Sequence, residues 1–130
     1  MTNVIQLRQK NTKKQGDVGL ALAWFAEHGH TVCIPLTDSQ DYDLVVDFDG
    51  KLSRVQVRTT TYKRRNTYSI NLKIAGGNKS GTGKIKWFNP QAVDFVFVVT
   101  EEGTKYLIPT SEIRSKGVLN LSRKYDHCVV

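Results

Sequence analysis

The dipeptide Asp49-Gly50 constrains this chain more than any other feature. It lies between two runs, "DYDLVVDF" and "KLSRVQVRTTTY", in which apolar residues alternate with polar ones. Asp-Gly between alternating runs is a strong signal for a two-residue hairpin turn, because both turn positions need a positive φ. Such a turn sets the register. Phe48 faces Lys51, Leu44 faces Val55, and Asp43 faces Gln56, with their Cβ atoms about 5 Å apart on one face. Arg58 is the diagonal neighbour of Asp43 on that same face. The other face is apolar, with Leu44, Val46 and Phe48 against Val55 and Val57. The hairpin therefore gathers a carboxylate, an amide and a cation at one end, facing either solvent or a cleft.

The flanking sequence supplies a helix and more strands. In "NTKKQGDVGLALAWFAEHGH", Thr12 and Gln15 read as a capping box and Gly29 as the stop. Val18, Leu22 and Phe25, with Ala21 and Trp24 beside them, make the apolar stripe. Asp17 borders that stripe, where it either complements the helix N-terminus or approaches Asp43 from the helix side. "HTVCIP" reads as a short strand, and "TYSINLKI" as a third strand of the meander. "VDFVFVVT" is apolar throughout, as expected for a strand covered on both faces. "TKYLIP" pairs with it across Glu102-Gly103, "TSEIRSKG" reads as a short capped helix, and "VLNLS" and "DHCVV" as late strands. The loop "AGGNKSGTGK" lacks the spacing of a phosphate-binding P-loop, since Asn78 stands for its first glycine and Ile85 for its Ser or Thr. Together these elements predict an α/β (α+β) fold: one mixed sheet, an N-terminal helix packed on it, and a β-meander carrying the polar cluster.

The 130 residues suit one domain, 1–130, with residues 1–11 as a flexible basic arm. No apolar run approaches the roughly 20 residues of a membrane span, and the basic N-terminus lacks a signal-peptide core. A cytoplasmic, non-membrane protein is expected, with Cys33 and Cys128 as two buried thiols rather than a disulfide or a zinc site. His28, His30 and His127 show no ligand-like spacing, and no metal role is expected for them. The net charge is +7 and unevenly spread. Between Gly50 and Val93 stand ten Lys or Arg residues and no acid, while acids crowd between Asp38 and Asp49. That arrangement suits a polyanion outside and a metal ion within. The candidate phosphate contacts are Lys13, Lys14, Lys63, Arg64, Arg65, Lys79, Lys84 and Lys86. Tyr62, Tyr68, Trp87 and Phe88 read as packing residues.

At the hairpin and around it the sequence resembles the PD-(D/E)XK nuclease superfamily, and within it the small group I intron-associated homing endonucleases. The resemblance runs from "KKQGDVG" through "DYDLVV" and "QVR" to "VDFVFVVTEEGTKYLIPTSEI", nearly the whole chain. It implies a restriction-endonuclease-like core and a DNA endonuclease. Asp43 matches the central metal-binding aspartate, Gln56-Val57-Arg58 falls on the (E/Q)-x-K motif, and Asp17 is the best match for the helix acid. Two positions depart from the pattern. Gly19-Leu20 stands where this branch often has Gly-Glu, and Arg58 stands where lysine is usual.

The resemblance implies Mg²⁺, with Mn²⁺ as the substitute, held by Asp43, Gln56, the Val57 main-chain carbonyl and Asp17. The catalytic set is then Asp17, Asp43, Gln56 and Arg58. Arginine at 58 can stabilise a phosphate but exchanges a proton poorly, so a weakened nuclease is expected. Double-stranded DNA is the implied partner, bound by a homodimer or homotetramer. A junction-resolving nuclease and a DNA-binding protein with weakened catalysis are the alternatives.

Overall fold

The computed structural model describes residues 4–37, 39–75 and 85–130, with side chains from Gly16 onward except at 74, 75 and 85. The loop around Lys79 and Lys84 lies outside the described residues, as do Asp38 and the side chains of Lys13 and Lys14.

Helix α1 spans Val4–Glu27, so it begins well before the expected cap. Thr12 lies inside the helix, and residues 4–11, expected as an arm, form its first turns. The straight-chain residues Gln6, Leu7, Arg8, Gln9 and Lys10 have good helix propensity, which outweighs the local capping signal. The helix ends where expected. Gly29 has φ +81°, its N–H donates to the Ala26 carbonyl (3.0 Å), and the His30 N–H donates to that of Phe25 (3.0 Å). This is a Schellman stop, which favours glycine at the left-handed position.

Strands β1 (Thr31–Cys33), β2 (Leu44–Phe48) and β3 (Lys51–Thr60) follow. Then come β4 (Lys63–Arg64), β5 (Thr67–Asn71), β6 (Ile74–Ala75), β7 (Ile85–Lys86), β8 (Phe95–Thr100), β9 (Lys105–Pro109) and β10 (Val118–Asn120). The main sheet has five strands in the order β1-β2-β3-β8-β9. Only β3 and β8 run parallel; the other neighbours are antiparallel. A smaller sheet joins β10, β5 and β4, and β6 pairs with β7.

The hairpin has the register that its turn dictates: Phe48 pairs with Lys51 and Leu44 with Val55. Asp49 and Gly50 both have positive φ, 52° and 97°, and the Gly50 N–H donates to the Asp47 carboxylate. A Cβ at Gly50 would meet no atom within 4 Å, so the position needs glycine for its backbone alone. Gly50→Ala should therefore cost about 1–2 kcal/mol. Urea unfolding should show this as a lower midpoint at unchanged slope; an unchanged midpoint would contradict it.

The third strand of the meander is a correction. β5 does not join β3 in the main sheet; that edge is taken by β8. In β8, Val96, Phe97, Val98 and Val99 are all buried, so this strand must sit centrally with cores on both sides. Phe97 and Val99 join Ala21, Phe25, Leu44, Val46, Val55 and Val57 beneath α1. On the opposite face, Val96, Val98 and Ile108 meet Ile70, Leu72, Phe88, Val93 and Leu119. β5 offers fewer inward side chains, and its register with β10 and β4 covers that second face as a separate layer.

Smaller differences lie near the C-terminus and on the surface. "TSEIRSKG" forms only a 3-10 turn, Thr110–Glu112, which has no side-chain cap. "DHCVV" falls largely within a 3-10 helix, Arg123–Cys128, rather than a strand. Cys128 is buried as expected, whereas Cys33 is exposed on the edge strand β1. Tyr62 is exposed, against expectation, and Trp87, expected in core or subunit packing, lies outside the core, while Phe88 is buried and Tyr68 packs on the second core. Among the described residues no helix is long and apolar enough to cross a membrane.

Candidate active site

β3 is longer than its partner β2, and the mismatch creates the polar cluster. β2 begins at Leu44, whereas β3 continues from Val55 to Thr60. The Asp43 N–H still donates to the Val55 carbonyl (2.9 Å). Past that point the Val57 N–H and C=O point toward β2 with no strand to meet them, and unpaired buried backbone is costly. Two side chains fill the gap. The Asp43 carboxylate accepts the Val57 N–H (2.8 Å), and an Arg58 Nη donates to the Val57 carbonyl (2.9 Å). The same guanidinium lies 4.0 Å from the Asp43 carboxylate, and its Nε donates to the Asn71 carbonyl (3.2 Å).

Gln56 projects from β3 toward the second core and is only 1% exposed. Its amide nitrogen donates to the Asp41 carbonyl (3.2 Å). Its amide oxygen is buried with no hydrogen-bond partner. Burying an unpaired acceptor costs about 1–3 kcal/mol, so a fold that retains it invites a functional explanation. Asp41 carries a second link, since its carboxylate accepts from Lys86 of β7 (2.6 Å) and is 10% exposed. Nothing in the local sequence pattern distinguished Asp41, because Lys86 lies far along the chain.

The electrostatics follow from this packing. Burial pushes the Arg58 guanidinium below its ordinary pKa, and the nearby Asp43 and Asp17 carboxylates oppose the shift. An arginine so placed remains a cation near neutral pH. Asp17, half-buried on α1, thus acts on the cluster through its charge. The fold therefore brings Asp43 and Arg58 together at one end of the hairpin, while the Gln56 amide of β3 reaches the Asp41 carbonyl.

Asp94 is a further residue that the sequence pattern did not flag. Its carboxylate accepts from the Arg54 N–H (2.7 Å), Nε (3.1 Å) and Nη (3.2 Å). The Asp94 N–H returns a bond to the Arg54 carbonyl (2.9 Å). These bonds lock the start of β8 against β3, just upstream of Gln56, and hold the Asp94 carboxyl below its ordinary pKa.

The described candidate phosphate contacts are arranged in two ways. Lys63 is paired with Glu102 (3.1 Å) and Lys86 with Asp41. Arg64 and Arg65 are exposed and line an open depression of about 330 Å³ with Thr67, Asn120 and Ser122.

Three comparisons bear on this architecture. A 53-residue stretch is 42% identical to protein 5.3 of Escherichia phage T7, covering 41% of this chain and 45% of that protein. The match thus spans under half the length of that relative. The structure of a bacterial homing endonuclease, I-Ssp6803I, superposes with a TM-score of 0.67 over 84% of this chain and 75% of that one. At 22% identity this is a likeness of fold, and it identifies the mixed sheet with its packed helix as restriction-endonuclease-like. The model of the PD-(D/E)XK endonuclease family matches residues 10–124. With nearly the whole chain matched and the hairpin cluster at the end of β2 and β3, this chain belongs to the PD-(D/E)XK endonuclease family.

Proposed function

We propose that the chain is a metal-dependent DNA endonuclease of the homing type, and that Asp43, Gln56 and Arg58 carry its chemistry. The observation that supports this reading best is the buried, unpartnered amide oxygen of Gln56, one residue from the Val57 N–H that the Asp43 carboxylate accepts. The donor set consists of oxygens, which suits a hard cation such as Mg²⁺, or Mn²⁺ in its place. Asp43 and Gln56 would hold the ion, and Asp17 would support the site from α1. The Val57 carbonyl is engaged by Arg58 and would serve as a ligand only after that bond is released. Held by these residues, a divalent cation would counter the negative charge that grows on the phosphate and would lower the pKa of a bound water.

The chain's own residues have separable tasks. Asp43 would span both roles, since one carboxylate oxygen is fixed by the Val57 N–H and the other would be left to hold the cation. Arg58 neutralises phosphate charge but does not accept a proton. Arg64 and Arg65 would contact the DNA backbone, with Lys63 and Lys86 joining after release from their acids. Lys13, Lys14, Lys79 and Lys84 are the other candidate phosphate contacts of this reading, with side chains outside the described residues. A unit of this size covers a short stretch of duplex, so a homodimer or homotetramer is part of the reading.

The Arg58 geometry also favours a second reading, in which the protein binds DNA but cleaves it weakly. Its guanidinium sits on the carbonyl that a cation could otherwise use. Arg58→Lys should free that carbonyl and supply a group that can exchange protons. Metal-dependent cleavage should then rise at least about tenfold. Equal rates in both forms would show that position 58 does not limit catalysis. Linear, supercoiled and four-way-junction DNA, each titrated with Mg²⁺, test the substrate. Metal-dependent cutting of duplex supports the proposal, and junction-restricted cutting replaces it with a resolvase. Tight binding without cutting replaces it with the weakened binder.

A further inference from the structure

Away from the hairpin, the fold assembles three side chains whose spacing in sequence gives no hint of a common site. Glu112 ends the 3-10 turn after β9, while His127 and Cys128 end the 3-10 helix Arg123–Cys128. The His127 Nε2 meets one Glu112 carboxylate oxygen (2.5 Å), and the Cys128 Sγ lies 3.9 Å from the other. One donor atom from each of the three lies within 4.8 Å of the others. Four ligands around a tetrahedral zinc ion stand about 3.3–3.8 Å apart, given bonds of about 2.0–2.3 Å. A shift of about 1 Å would bring these three donors to that spacing.

The donor chemistry selects the ion. A thiol, an imidazole and a carboxylate form a mixed S, N, O set that suits borderline-soft Zn²⁺ and does not suit Mg²⁺. The surroundings suit three protein ligands and one open position. Cys128 is buried at 4% exposure, whereas the His127 side chain is 59% exposed and opens the cluster to solvent. Both segments are already anchored. The Tyr125 hydroxyl donates to the Glu112 carbonyl (3.4 Å), and the Val130 N–H donates to the Lys105 carbonyl (2.9 Å) at the start of β9. The His127–Glu112 contact accounts for two of the three groups, and the buried thiol turned toward the same carboxylate supplies the third donor.

We propose that Glu112, His127 and Cys128 form a Zn²⁺ site that clips the C-terminal turn to the turn after β9. It is independent of the Mg²⁺ reading at the hairpin, and either can fail without the other. The test is a Co²⁺ titration of the full metal-free chain, because Co²⁺ reports a thiolate ligand through a charge-transfer band in the near ultraviolet. One Co²⁺ per chain should give that band together with intense tetrahedral d–d absorption, and Zn²⁺ should displace it. Cys128→Ser should abolish the band, and Cys33→Ser and Asp43→Asn should leave it unchanged. His127→Ala and Glu112→Gln alter accessible side chains, so they test the site even if the Cys128 variant does not fold. Each should weaken binding at least about tenfold. Absence of the band at saturating Co²⁺, its survival in a folded Cys128→Ser, or unchanged affinity in both other variants would overturn the proposal.

Discussion

Asp43→Asn should lower Mg²⁺-dependent DNA cleavage by at least about 100-fold, because loss of a ligating charge should exceed the roughly 10–100-fold typical of outer-sphere changes. Asparagine is the informative replacement. Its side-chain oxygen can still accept the Val57 N–H, the bond that Asp43 makes at 2.8 Å. Stability should therefore change by less than about 1 kcal/mol. Alanine would leave that N–H without a partner at a cost of about 1–3 kcal/mol, mixing a folding defect with a catalytic one. Plasmid cleavage and urea unfolding of the same preparations separate the two effects. A variant that unfolds in proportion to its lost activity would mark Asp43 as a sheet-edge plug and nothing more.

Gln56→Met should move activity and stability in opposite directions. Methionine fills a similar volume without the buried oxygen that finds no partner. It also forfeits the amide bond to the Asp41 carbonyl, which is long at 3.2 Å. Removing an unsatisfied acceptor is worth about 1–3 kcal/mol and losing one ordinary bond costs about 0.5–1.5 kcal/mol. The net expectation is a gain of about 1 kcal/mol, read as a higher urea midpoint. Metal-dependent cleavage should meanwhile fall at least about 100-fold, the stability–activity trade-off of a site held for chemistry. Lower stability with cleavage intact would show that the amide serves the fold.

Much of this was legible in the residues because its causes are local. Asp49-Gly50 requires positive φ at both positions, so the turn and the register from Phe48–Lys51 to Leu44–Val55 follow from the sequence. Gly29 ends the helix for the same backbone reason. What was not legible depends on competition between distant segments. Whether β5 or β8 takes the free edge of β3 is decided by two cores that do not exist until the chain has folded. The helix start was misplaced because a capping box is a local preference that neighbouring propensity overrides. The Val57 edge, closed by Asp43 and Arg58, depends on β2 being shorter than β3, and strand ends carry little sequence signal. Asp41, Asp94 and the Glu112–His127–Cys128 group likewise find their partners only through tertiary structure.

Arg58 satisfies a backbone carbonyl, offsets Asp43 and feels the charge of Asp17. The same contacts that close the sheet edge restrain the group that would face a phosphate. In the proposed reading such a site would have to rearrange locally before it acts, and weak or conditional cleavage would follow.

The most direct test of the central claim is cleavage of supercoiled plasmid across a Mg²⁺ titration, with the original chain and Asp43→Asn side by side. The proposal predicts cutting by the original chain that rises with Mg²⁺ and stops with chelator, and at least about 100-fold less by the folded variant. Cleavage that persists in chelator, or equal rates from the two proteins, would contradict it.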